Sequence, residues 1–313
     1  KIYFNMKKIK VAFIGVGYLG KFHAEKYKIN KKVDLVGVVD SNKERRTEIS
    51  KKLNVLQFSN YKEVLPKVDA VSIAVPTNLH YEIGKIFLEN GKHVLLEKPF
   101  TSTLAQAKTL GKIADSKKII LQIGHLERFN KAFLKLENII QRPLFIECNR
   151  ISPFKIRGTE VDVIMDLMIH DLDIILKLNK SNIKNIQAKG IKVLTNKADI
   201  ANARITFENG CICNLSSSRI SEKVERKTRI FQKNAYFSID YQTNRLDTYT
   251  KESNKSIQSI KRKSYQYENN DSLKKEIESF IDCVKSKKSP IVSSKDGINA
   301  LKYALQISNK IKR

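Results

Sequence analysis

Residues 8–28 read KIKVAFIGVGYLGKFHAEKYK, and this stretch decides the fold. KIKVAFIG (8–15) is a short apolar, β-branched run of the kind that forms a buried strand. Gly15-Val16-Gly17-Tyr18-Leu19-Gly20 follows at once and opens a helix over Tyr18–Lys28. G-x-G-x-x-G between a strand and a helix is the context a dinucleotide-binding turn demands. Gly15 allows the tight turn, Gly17 lets the backbone approach a pyrophosphate, and Gly20 lets the helix pack on the strand. The unpaired amides at the helix start, around Tyr18 and Leu19, then bind phosphate. Asp40 stands twenty residues beyond Gly20 at the end of the next apolar run, VDLVGVVD (33–40), where a carboxylate would hydrogen-bond a ribose diol.

The same rhythm continues. DAVSIAVP (69–76), KHVLLEKP (92–99) and IILQIGH (119–125) are further apolar strands, with helices expected through Leu53, near His80–Asn90 and over Ser102–Ser116. Continuous apolar strands separated by helices describe a five-stranded parallel sheet covered on both faces. After Gly124 the pattern changes. FNKAFLKLENIIQ (129–141) and Asp162–Leu178 read as helices, and PLFIECNRISPF (143–154) reads as a strand. A series of alternating segments runs from 183 to 250, with Glu208-Asn209-Gly210 as a hairpin turn. Lys251–Asp271 reads as a long polar loop, and two amphipathic helices close the chain. The expected fold class is α/β. An NAD-binding Rossmann domain over 6–124 precedes an α+β substrate and oligomerisation domain over 125–313, with a large, mostly antiparallel sheet.

Composition excludes several classes. Gly and Pro are too few in the 313 residues for a collagenous or linker-rich chain. No apolar run approaches the roughly 18 residues of a membrane span. The 59 Lys and Arg exceed the 32 Asp and Glu, for a net charge of +27, which invites a nucleic-acid reading. The basic residues are spread along the whole chain, so a solvated surface and an affinity for anionic ligands such as nucleotide sugars explain them better. Cys148, Cys211, Cys213 and Cys283 have no metal-site spacing and read as reduced interior thiols of a cytoplasmic protein. No metal, nucleic-acid or membrane partner is expected. Met6 reads as the start, with five residues of extension before it.

A carboxylate at 40 repels a 2′-phosphate, so NAD is favoured over NADP. Lys43, Arg45 and Arg46 follow closely and could soften that preference, although a solvated helix face explains them equally well. At the carboxyl edge of a parallel sheet, strand ends face the ligand crevice, which aims Lys98 at a nicotinamide ring. Asp166 and His170, four apart on an expected helix, share a face. An imidazole there is suited to removing a hydroxyl proton, and a buried structural histidine is the plainer alternative.

GVGYLG, VPTNLHYE (75–82), EKPF (97–100) and DLMIHDLD (166–173) together resemble the Gfo/Idh/MocA oxidoreductases across almost the whole chain. The resemblance implies that Lys98 contacts the reacting hydroxyl, that Glu97 helps hold the nicotinamide ribose, and that Asp166 orients His170 or binds a sugar hydroxyl. It also implies that Pro76, Thr77, Asn78 and His80 touch the dinucleotide, a helix start capped by asparagine being the structural alternative. One departure is Met168, where the family commonly has glycine. GHLERFN (124–130) and RISPFKIRG (150–158) resemble the branch that oxidises UDP-N-acetylglucosamine at C3. That branch would use His125, Arg128, Arg150 and Arg157 on the substrate, the arginines gripping a diphosphate, with surface ion pairs as the alternative. The 3-keto sugar would pass to a PLP-dependent aminotransferase, and the antiparallel sheet would bury a face in a homo-oligomer. Other sugar or inositol-like polyol dehydrogenases, and non-catalytic sugar sensors that bind the dinucleotide, remain alternatives.

Overall fold

The computed structural model describes residues 7–156, 158–251 and 259–311. Met6 and the extension before it, and Arg157, lie outside the described residues. The chain divides into two compact units, one of residues up to 126 with 273–298, the other of 127–272 with the residues from 299 on.

The first unit is built on β1 (Ile9–Ile14), β2 (Val33–Val39), β3 (Leu56–Phe58), β4 (Ala70–Ile73), β5 (His93–Glu97) and β6 (Leu121–Gly124). They form a six-stranded sheet in the order β3-β2-β1-β4-β5-β6, every neighbouring pair parallel. Helices α1 (Gly20–Ile29), α2 (Lys43–Leu53), α3 (Thr77–Glu89) and α4 (Leu104–Lys117) alternate with the strands. β3 is the strand that the apolar pattern misses. It is three residues long, largely exposed, and sits at the edge of the sheet beyond β2.

Both closing helices were expected in the second domain, and the structure corrects this. Helix α7 (Ser272–Ser286) belongs to the first unit from Leu273 onward, as do the first residues of α8 (Ser294–Ile311). The reason is burial. Ile277, Phe280, Ile281, Cys283 and Val284 join one core with Val11, Phe13, Tyr27 and Leu95. Each large apolar side chain so buried contributes roughly 1.5–3 kcal/mol of transfer free energy.

The second unit opens with a 3₁₀ turn that begins at Leu126 and with α5 (Lys131–Glu137), shorter than the helix expected over 129–141. Its eight strands are β7 (Pro143–Ile151), β8 (Ile183–Ile191), β9 (Ile200–Phe207), β10 (Ile212–Ser218), β11 (Glu225–Gln232), β12 (Ala235–Asp240), β13 (Arg245–Lys251) and β14 (Ile260–Gln266). The order is β14-β13-β12-β11-β7-β10-β9-β8, antiparallel throughout except where β7 lies parallel to β10. The hairpin read at Glu208-Asn209-Gly210 joins β9 to β10, with Gly210 at φ +85°. β14 falls inside the stretch expected to be a loop. It is an edge strand, and its Lys261, Arg262 and Lys263 are exposed, which hides it from an apolar pattern and blunts the open edge.

The helix expected over Asp162–Leu178 is present in two forms. Ile164–Met168 is a π-helical turn, and Ile169–Leu178 continues it as the regular helix α6. Met168 is fully buried, so the residue that departs from the family pattern fills core. No helix of the described residues is long and apolar enough to cross a membrane.

Candidate active site

The glycine turn behaves as the fingerprint requires. Gly15 has φ +93°, and a Cβ there would lie 2.5 Å from the carbonyl oxygen of Ala74. A Cβ on Gly20 would collide with the carbonyl of Gly15 and the ring of Phe13. A Cβ on Gly17 would meet no atom within 4 Å, so this position keeps open the room a pyrophosphate needs. A cavity of about 500 Å³ runs from Gly15 and Gly17 to Asp40 and Arg45 on one side and to Pro76 and Leu79 on the other.

Two helices begin beside this cavity, and neither has a side-chain cap. Leu19 precedes α1 and Pro76 precedes α3, whereas α2 and α4 are capped by Asn42 and Thr103. Orphan amides at a helix start seek an anion, so the residues present fit a dinucleotide diphosphate. Thr77 and Asn78 lie in the first turn of α3, and Asn78 is not its cap. Asp40 lines the cavity while its Oδ1 accepts from the amide of Asn42 at 2.9 Å. Arg46 donates to the carbonyls of Asp40 and Ser41, which turns its charge onto the backbone, and Arg45 lines the cavity.

His80 was expected to touch the dinucleotide, and its burial argues otherwise. It is 1 % exposed, with Nε2 2.9 Å from the carbonyl of Val75 and Nδ1 2.9 Å from that of Pro99. Burial lowers its pKa, and the three carbonyls of Val75, Pro99 and Phe100 oppose that in part. The ring therefore braces the loop after β4 against the loop after β5, with no surface left for a ligand.

β5 ends at Glu97, and the half-buried Lys98 follows, joined to Pro99 by a cis peptide bond. The Glu97 carboxylate accepts from His23 Nε2 at 3.1 Å and from the Lys98 amide at 3.2 Å. Burial works to raise its pKa, but His23 and the Lys98 charge outweigh this and hold it below the ordinary carboxylate value. Gly124, its neighbour on β6, leaves room for this carboxylate, because a Cβ at 124 would lie 2.9 Å from it. His23 carries no motif signal of its own, and Gly124, the first residue of GHLERFN, gives no sign in the sequence of its nearness to Glu97. Only the structure shows that they hold Glu97.

In the second unit, Asp166 lies within the π-helical turn and His170 is the second residue of α6, both half-buried. Gly158, at φ +87°, brings its backbone against Asp166, and a Cβ there would lie 2.9 Å from Oδ2. π-Turns inside helices are frequent at functional sites.

The substrate residues expected from the branch resemblance are placed differently. His125 is buried. Arg128 is 1 % exposed and donates to Asp173 at 3.2 Å. Arg150 is 3 % exposed, with Nε and Nη2 on Asp171 at 2.9–3.1 Å and Nη1 on Glu127 at 3.0 Å. Burial works against the Arg150 charge, and the two carboxylates outweigh it and raise its pKa. These guanidiniums are committed to interior carboxylates, so the ion-pair alternative describes Arg128 and Arg150, with the pairs buried rather than on the surface.

Comparison with known proteins fits this geometry. Residues 9–125 match the model of the oxidoreductase family with an NAD-binding Rossmann fold, and residues 153–238 match the Gfo/Idh/MocA C-terminal domain. The chain belongs to the Gfo/Idh/MocA oxidoreductase family. Among its relatives, a UDP-N-acetylglucosamine 3-dehydrogenase of Acidithiobacillus ferrooxidans is 35 % identical over 96 % of this chain and 97 % of its own. A solved structure of that enzyme superposes with a TM-score of 0.92, covering 98 % of this chain and 99 % of the other. The scyllo-inositol 2-dehydrogenase (NAD(+)) of Bacillus subtilis is 26 % identical over 97 % of this chain and 94 % of its own. The first matched segment contains Glu97, Lys98 and Pro99, and the second contains Asp166 and His170.

Proposed function

We propose that this oxidoreductase oxidises the C3 hydroxyl of a UDP-N-acetylhexosamine, with UDP-N-acetylglucosamine as the first substrate to test. The observation that carries the reading is the full-length likeness to a UDP-N-acetylglucosamine 3-dehydrogenase. The cofactor, when bound, supplies the hydride acceptor. His170 removes the hydroxyl proton, with Asp166 orienting the imidazole and the Lys98 ammonium assisting at the same oxygen. Glu97, fixed by His23, holds the nicotinamide ribose. The amides at the starts of α1 and α3 hold the diphosphate, and Asp40 holds the adenosine ribose diol.

A screen of UDP-sugars and free polyols for NAD reduction tests the substrate. UDP-N-acetylglucosamine is expected to be the best substrate. Turnover of inositols with inert UDP-sugars would instead place the chain with the polyol dehydrogenases. NAD is favoured over NADP, because Asp40 borders the cavity. Asp40→Ala is expected to lower the ratio of NAD to NADP efficiency at least about tenfold, read from kcat/KM with each cofactor. An unchanged ratio would remove Asp40 from cofactor choice.

The 3-keto product would be consumed by a PLP-dependent aminotransferase. Free, buried thiols suit a cytoplasmic setting. Phe145, Phe231, Tyr236 and Tyr249 form a cross-strand aromatic row on one face of the second unit's sheet, a surface suited to a homo-oligomer.

A further inference from the structure

Behind Glu97 lies a second acid. Glu276, on α7, is fully buried, and neither of its carboxyl oxygens has a hydrogen-bond partner. One donor atom each of His23, Glu97 and Glu276 lie within 4.8 Å of one another. The site is assembled from α1, the end of β5 and the returning α7, so it exists only because that helix joins the first unit. Nearby, Gln122 donates to the Glu276 carbonyl at 3.2 Å, and the Tyr27 hydroxyl pairs with Ser72.

Two buried carboxylates this close do not both ionise unless something positive lies between them. The two choices are a cation and a proton. A metal-bound imidazole almost always gives its second nitrogen to an acceptor, yet His23 Nδ1 has no partner. Glu97 is already an acceptor for His23 Nε2 and the Lys98 amide. These donors stabilise its charge, whereas Glu276 has none. The proton therefore belongs on Glu276.

We propose that Glu276 is a neutral carboxylic acid beside Glu97, which leaves Glu97 the single anion of the cluster. This rests on the reading that Glu97 holds the nicotinamide ribose. Burial, followed by the Glu97 charge, pushes the Glu276 pKa well above the ordinary carboxylate value. Through α1 the carboxyl faces His23 and Tyr27, and through the end of β5 it faces Glu97, whose own charge is favoured by His23 and then by Lys98. Raising the pH through the Glu276 pKa creates a second anion beside Glu97, so cofactor affinity falls on the alkaline side.

The test is NADH titration by fluorescence from about pH 6 to about pH 10 on the wild type, Glu276→Gln and His23→Leu, which needs no knowledge of the sugar. Gln is the isostere of the neutral acid. Glu276→Gln is expected to bind NADH within about threefold of wild type at neutral pH, and about tenfold more tightly at the alkaline end. His23→Leu is expected to lose about tenfold throughout, because Glu97 loses a charge-assisted donor. Infrared spectroscopy of the wild type, with Glu276→Gln as reference, reads the proton directly as a protonated-carboxyl C=O stretch at neutral pH, whether or not NADH binds. The absence of that band would overturn the proposal, as would a tenfold loss of NADH affinity in a Glu276→Gln protein of normal melting temperature. One equivalent of divalent metal in the purified wild type, lost in Glu276→Gln, would show that a cation holds the site. Failure of wild type to bind NADH would count against the dinucleotide reading and leave the infrared result standing.

Discussion

Lys98→Ala and His170→Ala are each expected to cut turnover at least about a hundredfold while NADH still binds, the usual scale for losing a general base or its partner. The two residues come from different units, Lys98 from the end of the parallel sheet and His170 from the start of α6. The diphosphate elements, by contrast, all belong to the first unit: the glycine turn, Asp40 and the starts of α1 and α3. His170→Ala should therefore leave the NADH titration unchanged. Lys98→Ala should weaken NADH slightly, because the Lys98 charge helps keep Glu97 ionised. Single-turnover kinetics with saturating cofactor separates these effects. Near-normal turnover in both variants would remove the proposed chemistry and move it to other residues. Loss in Lys98→Ala alone would move the proton-accepting role off His170.

Arg150→Ala is expected to destabilise the second unit by about 3–5 kcal/mol, measured by urea denaturation. Asp171 is buried, with both oxygens on this guanidinium, and Glu127 shares it through Nη1. Removing the arginine leaves that carboxylate unpaired in the interior. Burial already works to raise the Asp171 pKa, and Arg150 is the main force opposing it. Replacing the pair together, Arg150→Met with Asp171→Leu, should recover most of the loss, because two desolvation penalties vanish at once. If Arg150 instead gripped a substrate diphosphate, stability would change little and the KM for a UDP-sugar would rise alone.

The arginines show where sequence reading stops. A guanidinium that grips a diphosphate and one that pairs with an interior carboxylate look alike in a string. The partner of Arg150 is 21 positions away and that of Arg128 is 45 away, so only the folded chain pairs them. The first sheet was legible because its strands are buried on both faces and read as unbroken apolar runs. β3 and β14 escaped because exposed edge strands need no apolar pattern. The π-turn left the helical spacing around Asp166 and His170 almost intact, so nothing in the pattern marked it. Glu276 did leave a trace. It stands three residues after Leu273 and four before Phe280, a charge in the middle of an apolar stripe. Such an intrusion marks a buried acid that an apolar stripe does not explain.

The return of α7 to the first unit sets an order on biosynthesis. While the ribosome is still translating the residues before 273, the nascent nucleotide-binding half presents its core without Ile277, Phe280 and Ile281. Its native packing is completed only after the intervening unit has been made, although domains commonly fold in the order of synthesis. The same threading forbids a clean cut after Gly124: a fragment ending there would lack one wall of its interior and the acid that faces Glu97.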